Sequence, residues 1–223
     1  MSNLKETFQK SWLLKFTYHF HDNFLEYQKL ITSLTDLSII SNIWKIYYDK
    51  TKASLKNPYF SNEKLDFHND GLWEDNINPA YLFLKCNKKA EDGWENFFVD
   101  SKVLIKSIPQ SYFDLKYTFS LFSENKIEPL FIKHPMGWYP CLNYSSYWID
   151  IDGNSNYIKF IWVDDKENKE MNSYLCSILE ENKFFVDLNE GECVIFDNYR
   201  YLHWRNWFSW YRELERILVY YNQ

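Results

Sequence analysis

Residues 191–221 read GECVIFDNYRYLHWRNWFSWYRELERILVYY. Two apolar, β-branched and aromatic runs, ECVIFD (192–197) and RILVYY (216–221), stand at the two ends of the stretch. Between them lie a polar turn, a histidine at 203 and an arginine at 212. Short apolar runs separated by turn residues are the pattern of strands, not of helices.

The same texture recurs upstream. AYLFLKC (80–86), FFV (97–99), PLFIK (129–133), SYWIDI (146–151) and YIKFIWV (157–163) are each bounded by polar or turn-forming residues. Many short strands with turns between them predict a sandwich or jelly roll. Two helical insertions interrupt the strands. One is near DSKVLIKSI, with Asp100 or Ser101 as cap. The other is KENKEMNSYLCSILEENK, where Met171, Tyr174, Leu175 and Leu179 make an apolar stripe.

Residues before Pro58 read differently. DNFLEYQKLITSL places Phe24, Leu25, Leu30, Ile31 and Leu34 near a helical period. DLSIISNIWKIYYDK places Leu37, Ile40, Ile43, Trp44 and Tyr47 likewise, with Asp36 as N-cap. The expectation is a mainly β (α+β) chain: a distorted double-stranded β-helix, cupin-like, over 56–223, carrying a helical N-terminal layer over 1–55. With no linker in view, 1–223 is expected to be one domain.

Composition narrows the function classes. The net charge is −6 and no Lys/Arg block occurs, which argues against nucleic acid and against anionic membrane surfaces as partners. No apolar run reaches transmembrane length, and MSNLKETFQKSWLLKF is too polar for a secretory signal, so a cytoplasmic location is expected. Cys86, Cys141, Cys176 and Cys193 lack CxxC spacing and read as reduced thiols. Rings make up 21% of the chain, which suits a ring-rich core before it suits a ligand cage.

Chemistry enters with the histidines at 19, 21, 68, 134 and 203. In LDFHNDGLW (65–73), His68 and Asp70 sit two residues apart, so an extended backbone points both to one side. Taken alone this is either a turn or two metal ligands. A second strand carrying His203 would complete two imidazoles and one carboxylate on one face of a metal. That set leaves three positions open, as in non-haem Fe(II) oxygenases. Arg212, nine residues beyond His203, offers the guanidinium fork that a dicarboxylate such as 2-oxoglutarate needs.

On these residues the chain resembles the taurine-dioxygenase-like Fe(II)/2-oxoglutarate oxygenases, and within them the γ-butyrobetaine and trimethyllysine hydroxylase branch. FHNDGLW resembles the family's HTD segment. AYLFLKCNKKAEDGWENFFVD resembles its next strand and GG-x-[ST] element, and residues 191–221 resemble its closing D-N-x-R-x-L-H-x-R…R-x-L pattern. The resemblance runs from about residue 58 to the end.

The resemblance implies Fe(II) on His68, Asp70 and His203, which are thereby the catalytic metal ligands. It implies 2-oxoglutarate held by Arg212, with Asn96 where the family has Thr or Ser, and with Trp94 replacing one paired glycine. Arg216 falls near the metal-bound end of the co-substrate or an anionic substrate. Trp73, His134 and Trp204 are the candidate substrate contacts, although His134 and Trp204 also suit structural places. His19 and His21 suit surface or packing roles.

Asp70 occupies the position that halogenating members leave small, so the resemblance implies hydroxylation of a small molecule. That reaction consumes O2 and releases succinate and CO2. Desaturation or ring closure by the same chemistry stays open, and so does a non-catalytic binding role. A homodimer is compatible with all of these.

Overall fold

The computed structural model describes residues 2–18, 23–49, 62, 64–71, 78–93, 95–121, 124–137, 139–144, 158–209 and 211–221. Among the described residues lie fifteen strands, the helices α1 (Ser2–Ser11), α2 (Phe24–Thr35), α3 (Ser101–Leu104) and α4 (Asp165–Glu181), and a short 3-10 turn (Gln110–Tyr112). Two antiparallel sheets face one another. The larger has the order β1 (Leu13–Thr17), β13 (Glu192–Asp197), β5 (Tyr81–Lys88), β15 (Glu213–Tyr220), β2 (Ile39–Ile40), and β3 (Trp44–Tyr47) also pairs with β15. The smaller has the order β12 (Phe184–Val186), β6 (Asn96–Asp100), β14 (Tyr201–Arg205), β4 (Leu65–His68). This is the expected jelly roll.

Both faces of the larger sheet are buried, and period 2 explains how one strand serves both. On β5, β13 and β15 the residues Leu82, Leu84, Val194, Phe196, Leu214 and Leu218 meet Phe98, Val186 and Tyr201 of the smaller sheet. Their neighbours Tyr81, Phe83, Cys193, Ile195, Ile217 and Val219 pack on the other face, under Phe8 of α1 and Tyr27, Leu30, Ile31 and Leu34 of α2. The outer face of the smaller sheet carries Phe67, Val99, Leu202 and Trp204 under Met171, Leu175, Ile178 and Leu179 of α4. Asp164 caps α4 and Asp100 caps α3 through their side chains.

The N-terminal layer departs from expectation. Its second predicted helix is the two short strands β2 and β3, which pair with β15 at one edge of the larger sheet. Asp36 is accordingly no N-cap: it has φ 61° and closes α2, its N–H donating to the carbonyl of Thr32. The apolar spacing of 37–47 imitates a helical period, but pairing to a strand more than 160 residues away decides the backbone. β1 likewise joins the sheet edge beside β13.

Downstream, YIKFIWV contributes only β11 (Lys159–Phe160) before a turn in which Trp162 has φ 64°. A hairpin of β7 (Lys116–Leu121) and β8 (Glu124–Pro129) went unpredicted. PLFIK forms β9 (Phe131–Lys133), paired with β10 (Pro140–Leu142). SYWIDI, His19, His21, Trp73 and Trp94 lie outside the described residues. Among the described residues no helix is long and apolar enough to cross a membrane.

Candidate metal and co-substrate site

The cross-strand register of β14 is what assembles the site. His203 lies directly opposite His68 on β4 and opposite Phe98 on β6, so three rings stand in one row across the smaller sheet. The two imidazole centroids are 4.3 Å apart. Register shifts between His203 and Arg205, where β4 carries an extra residue. Such a bulge re-aims the side chains beside it. Asp70 follows on the turn after β4, and the chain leaves it through Gly71 at φ +94°, where a Cβ would lie 2.5 Å from Pro79 Cδ. Only glycine fits that turn.

Three donor atoms converge. Asp70 Oδ1 lies 3.4 Å from His68 Nε2 and 3.7 Å from His203 Nε2. Among the described residues, these three side chains form a group whose donor atoms all lie within 4.8 Å of one another. Adjacent donors on an octahedral ion with bonds of about 2.1 Å sit about 3 Å apart, so the spacing fits after a small contraction. His68 Nδ1 lies 2.7 Å from the carbonyl of Asp66 and donates to it, which leaves the Nε2 lone pair facing the other ligands.

Electrostatics favour the binding form of Asp70 and of His203. Burial would raise the Asp70 carboxyl, but Arg216 and the two imidazoles hold it well below the usual carboxylate range. Arg216 Nη1 donates to Asp70 Oδ2 at 2.6 Å. The carboxylate therefore keeps one oxygen for the guanidinium and offers the other to the histidines. Burial, then His68, pushes His203 down to about 3, so its ring is neutral.

Arg212, Leu214 and Arg216 occupy alternate positions and point to the same inner face. They line a cavity of about 70 Å³ together with the three candidate ligands, Asn96 and an apolar wall that includes Ile46, Leu82, Leu84 and Phe98. Arg212 Nη2 donates to Asn96 Oδ1 at 2.6 Å. Asn96 thus accepts through its oxygen, and its Nδ2 remains a buried donor without a partner, as does Arg212 Nη1. Burial pushes Arg212 down to about 10. Gly93, at φ +72°, lets this turn close on Trp207, whose carbonyl oxygen would be 1.8 Å from a Cβ. That contact sets Asn96 beside the segment leading to Arg212, and Phe208 of that segment lies under the guanidinium, 5.6 Å away.

The structure therefore brings His68, Asp70, His203, Arg212, Asn96 and Arg216 into one cavity. Two expected substrate residues, Trp204 and His134, are placed differently from these six. Trp204 borders the cavity, yet its ring is on the opposite side of β14 from His203, stacked on Phe97 at 4.4 Å with α4 above it. His134 is buried outside the cavity lining, its Nε2 donating to Asp197 Oδ2 at 2.9 Å while Nδ1 accepts from the Met136 N–H at 3.1 Å. Alternation along β14 foretells the first placement. The HP dipeptide at 134–135 hides the second, because its partner is 63 residues away.

Comparison with known proteins now gives the class. Residues 38–219 match the Taurine catabolism dioxygenase TauD, TfdA family, and the chain belongs to it. Enzymes of this family are oxygenases that use Fe(II), 2-oxoglutarate and O2, and the donors described above suit both groups.

More particularly, the chain is 27% identical to a 3-((Z)-2-isocyanoethenyl)-1H-indole synthase of Fischerella ambigua (strain UTEX 1903), over 74% of this chain and 66% of that protein. The chain thus spans just under two thirds of that relative. Its fold is similar to that of PvcB from Pseudomonas aeruginosa, with a TM-score of 0.75 and 15% identity over 99% of this chain and 80% of PvcB. A second PvcB structure, of an Fe, alpha-ketoglutarate dependent oxygenase from an isonitrile synthetic pathway, gives a TM-score of 0.73 at the same identity and coverages. AAD-2 in complex with Mn(II) and N-oxalylglycine gives 0.71 at 14% identity, over 99% and 87% of the two chains. These comparisons show the TauD, TfdA family and do not single out the expected γ-butyrobetaine branch within it.

Proposed function

We propose that the protein oxidises an unactivated C–H bond of a small molecule, with hydroxylation as the outcome and 2-oxoglutarate as co-substrate. His68, Asp70 and His203 hold Fe(II). Arg212 and Asn96 hold the far carboxylate of 2-oxoglutarate. The observation that carries this reading is the pair of buried donors, Arg212 Nη1 and Asn96 Nδ2, that have no acceptor and border the same cavity as the three ligands. A buried donor without an acceptor costs about 1–3 kcal/mol, and a carboxylate lying against both would remove that cost.

When bound, iron supplies the oxidising chemistry, in which one oxygen atom goes to the succinate formed from 2-oxoglutarate and the other to the substrate. The protein's own part is placement. Arg212 fixes one end of the co-substrate, Arg216 keeps Asp70 ionised and one-handed, and the apolar wall keeps water away from the reacting carbon.

Anaerobic addition of Fe(II) and 2-oxoglutarate should produce the weak visible charge-transfer band of the chelate, and the band should vanish in His68→Ala. Absence of the band in the native protein, or its persistence in that variant, overturns the reading.

A second outcome has its own support. The product named for the Fischerella relative carries an ethenyl group beside an isocyano group on an indole. An isocyano-bearing aromatic substrate would lose two hydrogens to form such a double bond, with 2-oxoglutarate and O2 converted to succinate, CO2 and water. Mass spectrometry separates the two outcomes: desaturation removes two hydrogens, and hydroxylation adds one oxygen.

A further inference from the structure

In the 65–73 stretch, Asn69 is more than a spacer between two ligands. It is almost fully buried, and so is Asn198 of the turn between β13 and β14. Asn198 Oδ1 accepts from the Asp70 N–H at 2.9 Å, and its Nδ2 donates to the Asp70 carbonyl at 2.9 Å. Both main-chain polar groups of the candidate ligand are thereby held by one amide. The same Nδ2 donates to the carbonyl of Pro79 at 3.1 Å, so one side chain ties the chain on both sides of residues 72–77.

Asn69 returns the contact. Its Nδ2 donates to the Asn198 carbonyl at 2.6 Å, and its Oδ1 accepts from the Tyr144 N–H at 3.2 Å. The turn that presents Asn198 is fixed in its own right. Asp197 Oδ1 accepts from the N–H groups of Tyr199 and Arg200, and its other oxygen accepts from His134. Every partner of the Asn198 amide is a main-chain group of fixed polarity, so the amide has one orientation only.

Accordingly, we infer that Asn198, locked with Asn69 and braced by Asp197 and His134, is a positioning residue that sets the place of Asp70 as a metal ligand. This rests on the metal-site reading above. Aspartate at 198 would keep the acceptor, lose both donations and add a charge near Asp70. Alanine would lose everything. Neither replaces a ligand side chain or Arg212. A support of this kind behind a ligand is worth about 10- to 100-fold in metal affinity.

The test titrates the metal-free protein with Mn(II) and follows the free-ion electron paramagnetic resonance signal. The native chain is compared with His68→Ala, Asn198→Ala, Asn198→Asp and Asn172→Ala. Asn172 is an equally buried asparagine that bonds the Ile158 and Asn168 carbonyls at the N-terminal half of α4, so its loss reports on fold stability alone.

Expected is an affinity about 10- to 100-fold weaker in Asn198→Ala, with Asn198→Asp also weakened and Asn172→Ala within about twofold of native. The visible Co(II) spectrum, which reports ligand geometry, should change in the first two and not in the third. If Asn198→Ala does not fold, Asn198→Asp and Asn69→Ser carry the comparison. Native affinity and spectrum in folded Asn198 variants overturn the inference, as does equal weakening in Asn172→Ala. A native chain that binds Mn(II) no better than His68→Ala overturns instead the site reading on which the inference rests.

Discussion

Arg212 and Arg216 are two turns of the same pleat apart, both buried and both on the inner face of one sheet, yet they are differently employed. Arg216 donates to a carboxylate of its own chain. Arg212 donates to a neutral amide and keeps Nη1 without a partner. A buried guanidinium beside a carboxylate is compensated, while one beside an amide is held at a cost. The contrast is one of charge: Arg216 meets a carboxylate of its own chain, whereas at Arg212 a buried donor borders the cavity where the proposed co-substrate carboxylate would lie.

The comparison breaks most completely if the metal ligands are not what they are proposed to be. His68→Ala or Asp70→Ala should weaken Mn(II) binding by more than about 100-fold, exceeding any loss from outer supports. A calorimetric titration within a few-fold of native would end the argument.

Next in size is Arg212→Ala, which should weaken 2-oxoglutarate binding by about 2–5 kcal/mol, because it removes one partner of a desolvated charge pair. Its ligand-free stability should stay level or rise, since a buried cation that its neighbours compensate only in part is gone. In the native chain, 2-oxoglutarate with metal at 100 times Kd should add about 2.7 kcal/mol to stability, a gain absent from this variant. Thermal melts read both.

Arg216→Met should behave in the opposite way. It strands the Asp70 carboxylate, so the ligand-free fold should lose about 3–5 kcal/mol, and added divalent metal should recover part of it. Equal melts for the two arginine variants would erase the distinction between them.

Acid should act through the metal end. His203 is pushed down to about 3 from an ordinary 6.5, so the native state binds fewer protons than the unfolded chain across that interval. Its contribution is intact above about 6.5 and is lost as pH falls toward 3. Asp70, also depressed, adds a loss below its unfolded value of 3.8. Stability that holds flat from pH 6.5 to 4 would contradict the burial of His203.

Smallest is Asn96→Ser, which keeps a short hydrogen-bonding group beside Arg212 and should cost about 1 kcal/mol of 2-oxoglutarate binding. A loss as large as that of Arg212→Ala would mean that Asn96, not Arg212, carries the anion end.

These residues were legible to different degrees, for physical reasons. His68, Asp70, His203 and Arg212 announce themselves because few residue types serve a metal or a dicarboxylate, and their spacing follows the pleat. Strands buried on both faces, such as β5 and β13, read as plain apolar runs. β2 and β3 were hidden because the segment's own spacing suits a helix and only pairing with β15 makes it extended. The roles of Asn198 and His134 were hidden because polar residues in turns look alike until the distant backbone they hold is known. Asn96 lines the same cavity as Arg212, and its use as an acceptor for that guanidinium required the structure.

β15 also has a consequence for synthesis. It lies between β5 and the short strands β2 and β3, it carries Arg216 and starts just after Arg212, and it follows every other described strand in the sequence. A growing chain released as far as about residue 190 has β5 exposed along both edges, since β13 and β15 are its neighbours. Strand edges left open recruit other chains. Much of the protein must therefore wait on the ribosome, or beside a chaperone, with its central strand uncovered. Changes that slow synthesis of residues 191–221 should lower yield through aggregation, even where the finished protein is fully stable.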